Sequence, residues 1–98
     1  MSDAIQKLSE IDTNIHQPAR LMIVAILSAV EEADFLYLLQ RTGLTKGNLS
    51  SHLSRLEKVG YVHVEKSFVG KITRTICRLT DEGREALEAY GEQIKAVL

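Results

Sequence analysis

The sequence predicts a mainly α-helical domain with one small β-hairpin: four helices, the hairpin, then a last helix. Three observations carry this. Apolar residues recur at helical spacing, in successive short runs, from Ile5 to Leu56. The period drops to two directly after Gly60. A helical pattern restarts at Thr80-Asp81-Glu82 and continues to Val97. At 98 residues, 45% of them apolar, the chain is read as one domain, 1–98, able to bury roughly 60–65% of its unfolded surface.

Ile5, Leu8, Ile11 and Ile15 predict an amphipathic helix over about 3–15, loosening near Asp12-Thr13-Asn14. Its single apolar stripe must pack on its own domain or on a partner chain. His16-Gln17-Pro18 opens the next helix, since proline fits a first turn, where its missing N–H costs nothing. Leu21 to Leu27 is apolar on every side, so this helix needs cover on more than one face. Arg20 either pairs with an acid of a terminal helix or stays solvated. Glu31-Glu32-Ala33 is a connector, with room for a very short strand at Ala33 and Asp34.

Asp34 caps a short helix that Gly43 ends, with Phe35, Leu38 and Leu39 on its inner face. Thr45 caps the following helix, 45–59, and Gly60 stops it. Leu49, Leu53 and Leu56 form its buried stripe. The opposite face carries Gly47, Asn48, Ser51, Ser54, Arg55 and Lys58, with one acid, Glu57, near the apolar edge, and with Thr45 and Lys46 at the helix start these make eight candidate DNA-binding residues. Short donors ending in Arg and Lys suit close approach to an anionic surface with readable edges, such as a DNA groove. Two short helices joined by a tight glycine turn are the helix-turn-helix unit, whose second helix enters the major groove.

After Gly60, Val62 and Val64 point inward while His63 and Glu65 point outward. Val69-Gly70-Lys71 is the turn, and Ile72 to Leu79 is the second strand, with Cys77 and Leu79 inward and Arg74 and Arg78 outward. The hairpin, 61–79, is a wing with a basic tip region of Lys66, Lys71 and Arg74. Thr80 caps the last helix, about 80–97, with two acids on the positive end of its dipole. Leu87, Tyr90, Ile94 and Val97 form a seam about three turns long. With the core already supplied, this seam and the Ile5, Leu8, Ile11, Ile15 stripe are expected to meet a second subunit.

Net charge is only −1, but it is polarised. Residues 41–78 hold eight cations against two acids, a net +6, between segments of −4 and −3. That is the local footprint of a nucleic-acid surface. Leu44 to Val62 resembles the helix-turn-helix of the ArsR and MarR transcriptional regulators, and Arg78 to Leu87 is similar to the wing-to-helix junction of MarR-type proteins. The likeness covers residues 17–90 and looks closest to small stand-alone winged-helix proteins. It implies a homodimer on a pseudo-palindromic operator, with Lys46, Gly47, Asn48, Ser51 and Arg55 in the major groove. It implies Lys71 and Arg74 on the backbone or minor groove.

Neither the cysteine motif of metal-sensing ArsR proteins nor the extra terminal helices of effector-binding MarR proteins is present, so no metal or cofactor is expected. His16, His52 and His63 lack ligand spacing, and His52 reads as a packing residue. The lone Cys77 reads as a small apolar strand residue. Gly70-Lys71-Ile72-Thr73 echoes a P-loop end but sits in a hairpin. No catalytic constellation is visible, and the absence of a signal-like start or a long apolar run points to the cytoplasm. The competing expectation is a protein–protein module that docks this basic face on an acidic partner. It would call for aromatic anchors, and residues 45–58 contain none.

Overall fold

A computed structural model of the chain describes residues 2–98. Its elements are α1 (Ser2–Lys7), a 3-10 turn (Leu8–Glu10), α2 (Pro18–Ser28), β1 (Ala33–Asp34), α3 (Phe35–Thr42), α4 (Lys46–Lys58), β2 (Val62–Val69), β3 (Ile72–Leu79) and α5 (Asp81–Lys95). The expected class holds: mainly helical, with a hairpin between the fourth and fifth α-helices. The sheet has three strands, ordered β1-β3-β2 and antiparallel throughout.

The third strand changes the burial of the wing's base. β3 is central, with Ala33 opposite Cys77 and Asp34 opposite Ile76. Both Ile76 and Cys77 are buried, although they point to opposite faces. Alternation alone put only the Cys77 face inward.

The core joins Ile23, Val24 and Leu27 of α2, Leu38 of α3, the Leu49, Leu53 and Leu56 stripe of α4, and Val62 and Cys77 of the sheet. Ile15 belongs to it as well and is fully buried. This corrects two expectations. The first helix does not reach residue 15, and Ile15 is not part of an open stripe. The physical reason is the Asp12-Thr13-Asn14 sequence. Asp12 Oδ1 accepts the Asn14 N–H at 2.8 Å, and the Asp12 carbonyl accepts N–H groups of Ile15 and His16. This side chain-to-backbone turn competes with helix and wins, and Ile15 beside it is buried in the core.

The other Asp12 oxygen accepts the Tyr61 hydroxyl at 2.5 Å, tying that turn to the base of the wing. This hydrogen bond, then burial, pushes the Tyr61 phenol from 10.0 up to about 12. A phenol raised in the folded state stabilises fully below pH about 10 and loses that contribution as pH rises toward 12. Tyr61→Phe is expected to lower the melting temperature at neutral pH and to flatten the fall between those two values. Parallel melting curves for parent and variant across that range would exclude the linkage.

Candidate nucleic-acid interface

Gly43 ends α3 at φ +71°, a left-handed conformation that glycine adopts without penalty. The chain then turns into α4, where Thr45 accepts the Asn48 N–H at 3.2 Å. The leucine stripe pins one face of α4 to the core. All eight residues expected on the other side, Thr45, Lys46, Gly47, Asn48, Ser51, Ser54, Arg55 and Lys58, are exposed, as are Ser50 and Glu57.

Behind this face lies a polar anchor. Arg20 is neither solvated nor paired with an acid. Its guanidinium donates to the carbonyls of Asn14 (2.7 Å) and Thr13 (3.1 Å), and lies 3.2 Å from His52 Nδ1. Arginine only donates, so Nδ1 must accept and the ring is neutral. Desolvation, then the Arg20 charge, lowers the His52 pKa from 6.5 in the same sense. Asn14 in turn accepts from Arg55 Nε at 3.0 Å through Oδ1. Arg55 is therefore held at one nitrogen, with its two terminal nitrogens projecting from an exposed residue. Sequence reasoning missed Asn14 as a partner of Arg55. The turn was visible in its residue types, but a pairing across 41 positions leaves no local pattern.

The wing is a regular hairpin from Val62↔Leu79 to Val69↔Ile72, closed by Gly70-Lys71. Gly70 has φ +65° and Lys71 does not have a positive φ, the sign pattern of a type II′ turn. Lys66, Lys71 and Arg74 are all exposed. Two features of the wing go beyond the expected basic tip region. Arg74 is turned toward the connector, 3.5 Å from Asp34 Oδ2, and Arg78 lies 3.9 Å from Glu32. The outermost residues are also largely apolar, with Phe68, Val69 and Ile72 exposed.

Among the described residues, the only other ion pair within 4 Å is His63 with Glu65 at 3.7 Å. The cations left without an acid therefore include Lys46, Arg55 and Lys58 on α4, and Lys66 and Lys71 on the wing. An open groove of about 450 Å³ separates the two elements, bounded by Ser50, Ser54 and Glu57 on α4 and by Val64, Lys66 and Thr75 on the sheet.

The terminal residues divide in a way the sequence did not show. Leu87 and Tyr90 pack partly against the chain's own core, and Tyr90 Oη lies 2.9 Å from His16 Nδ1. Leu8, Ile11, Ile94 and Val97 are half-buried, and Ile5 is 65% exposed. Burial pushes the Cys77 thiol up to about 11, so it is protonated and unreactive at neutral pH. Among the described residues no helix is long and apolar enough to cross a membrane, and no three His, Cys, Asp or Glu side chains converge on a metal site.

Comparison with known proteins adds to this geometry. A family model described as winged helix DNA-binding domain matches residues 19–98. An uncharacterized protein of Methanocaldococcus jannaschii is 39% identical over 71 residues, 72% of this chain and 77% of its own length. The structure is similar to that of a transcriptional regulator homologue from Pyrococcus horikoshii OT3, with a TM-score of 0.86 and 33% identity over 94% of this chain and 93% of that one. It is also similar to a MarR-family transcriptional regulator from Enterococcus faecalis V583, with a TM-score of 0.72 and 26% identity over 98% and 94% of the two chains.

Proposed function

The chain belongs to the winged helix DNA-binding domain family, and from that premise we propose that it is a sequence-specific transcriptional regulator acting as a homodimer on double-stranded DNA. In this reading α4 lies in the major groove and the wing follows the backbone or minor groove. The whole chain, 1–98, acts as one binding unit in the cytoplasm, with no catalytic step, and its terminal helices join the two copies. One observation supports it above the others. Five cations without an acid partner, Lys46, Arg55, Lys58, Lys66 and Lys71, lie on α4 and the wing, around a face made of Gly47, Asn48, Ser51 and Ser54. Small side chains admit a base edge, and the flanking cations reach phosphates.

A salt titration of duplex binding tests the reading. Each phosphate neutralised contributes a slope of about −0.9 in log K against log salt, so affinity should fall by orders of magnitude between low and moderate salt. Binding that stays flat would favour an apolar protein partner. Arg55→Ala separates reading from anchoring. With its terminal nitrogens on a guanine edge, its loss should cost about 1–3 kcal/mol and relax preference at one base pair. Lys71→Ala should weaken all sequences alike and make the salt slope shallower. An unchanged specificity profile for Arg55→Ala would place that residue on phosphate or outside the interface.

A further inference from the structure

The wing tip is the exposed feature that the cationic surface leaves unexplained. Phe68 is 74% exposed, Val69 61% and Ile72 72%. The chain has only two Phe and three Tyr. Phe35, Tyr61 and Tyr90 pack against the core, and Tyr37 lies under the Arg41 guanidinium at 5.6 Å. Phe68 is the most exposed of the five.

Strand register gives its direction. Val62, Val64, Lys66 and Phe68 share one face of β2, opposite Leu79, Cys77, Thr75 and Thr73 of β3. Val64, Lys66 and Thr75 of that face form the sheet wall of the groove facing α4. Phe68 is the next position outward on that same face. Val69 and Ile72 close the hairpin on the opposite face. Residues 66–75 contain no acid, and Lys66 and Lys71 bracket the ring along the chain.

We propose that Phe68 is an apolar wedge which enters the minor groove of the bound duplex and opens a base step, while Lys66 and Lys71 hold the flanking phosphates. This rests on the DNA-binding reading above and deepens it. A two-stranded ribbon with a tight turn presents an apolar side chain to a groove edge, and partial unstacking by such a side chain kinks DNA toward the major groove. Charge complementarity decides the occupant: an apolar tip set in a purely cationic segment matches a stacked, phosphate-lined partner. The cost of unstacking depends on sequence and is lowest at pyrimidine–purine steps. The wing would thereby select sites by deformability, where α4 selects them by base edges.

The test uses the full-length protein and a labelled duplex that it has itself selected from a random pool. Bending is read by energy transfer between the duplex ends, and affinity by titration. Phe68→Ala is expected to bind about tenfold more weakly or worse, with the salt slope unchanged and the bend largely lost. Phe68→Leu, which keeps an apolar wedge, should retain much of both. Replacing a TA or CA step under the wing by a stiff A-tract should weaken the parent more than Phe68→Ala. The position is open to solvent, so the variants should melt with the parent. A straight duplex in the parent complex, or equal bends for parent and Phe68→Ala, overturns the wedge and leaves DNA binding standing. A parent that selects no duplex removes the underlying reading as well. A change in the mass of the free protein on Phe68→Ala would assign the tip to protein contact and also overturn the proposal.

Discussion

Gly83→Ala is expected to destabilise the protein by about 3 kcal/mol or more, among the larger effects open to a single methyl group. Gly83 is the buried residue of α5, in its first turn. A Cβ there would lie 2.2 Å from the Tyr61 carbonyl oxygen and 2.7 Å from Leu79 Cδ1. The leucine can rotate, but the carbonyl cannot move freely, because it accepts the Thr80 N–H at 3.0 Å. Thr80 is itself committed twice: its hydroxyl donates to the Gly60 carbonyl at 2.6 Å and accepts the Gly83 N–H at 3.0 Å. A methyl at Gly83 therefore pushes apart the end of α4, the base of the wing and the start of α5 together. For a domain of this size about 3 kcal/mol corresponds to a melting temperature lower by roughly 12 °C or more. Gly47→Ala provides the contrast. Nothing lies within 4 Å of a Cβ at Gly47, and alanine there should stabilise α4 by up to about 1 kcal/mol. Thermal melts of both variants decide the matter. If Gly83→Ala melts within a few degrees of the parent, the junction is not the rigid contact described.

That junction also marks how far the sequence could be read. Thr80 and Thr45 as caps, Gly43 and Gly60 as stops, and the leucine stripe of α4 are local features. Each depends on neighbours a few residues away, so residue type and spacing were enough to find them. The features that were missed depend on distant partners. Pairing of Ala33 and Asp34 with β3 buries Ile76 on the face expected to point outward. The Asp12 turn itself is local and its residue types announced it, but the burial of Ile15 depends on core residues far along the chain. Arg74 lies 3.5 Å from Asp34 Oδ2, a neighbour 40 positions away in the chain. At the candidate interface the exposed positions of α4 followed from helical period alone. Whether a given cation is free or paired depended on acids elsewhere in the chain. Exposure of Phe68 could not be inferred either, because an alternating strand pattern does not say where the supporting core ends.

Ile94→Glu is expected to convert a dimer into a monomer and to weaken operator binding by several orders of magnitude. The chain has a radius of gyration of 14.9 Å and extents of 58 × 25 × 21 Å. A compact domain of about 100 residues has a radius near 13 Å, so this molecule is more elongated than a compact domain of its length. Part of the seam expected on α5 is used internally, since Leu87 and Tyr90 pack on the core. Ile94 and Val97 lie beyond that contact, only half-buried, and Ala4 and Lys7 of α1 face Glu92, Gln93 and Ala96 across a shallow cleft. In the proposed dimer this distal end, with Ile5, Leu8 and Ile11, is covered by its symmetry mate, and the two copies of α4 stand about one DNA turn, roughly 34 Å, apart. A carboxylate at position 94 would then be buried without a partner in both subunits. Such a charge costs about 3–5 kcal/mol per site, and each 1.4 kcal/mol is about a tenfold change in the equilibrium. The dimer should dissociate while the fold survives, because Ile94 lies outside the buried core cluster. Sedimentation of the free protein at tens of micromolar checks this directly. The parent should run at twice the 10.9 kDa chain mass and the variant at the chain mass, with unchanged circular dichroism. A parent that is already monomeric at that concentration would leave pairing on DNA as the only form of the dimer. A variant that stays dimeric would place the two-fold interface elsewhere on the chain.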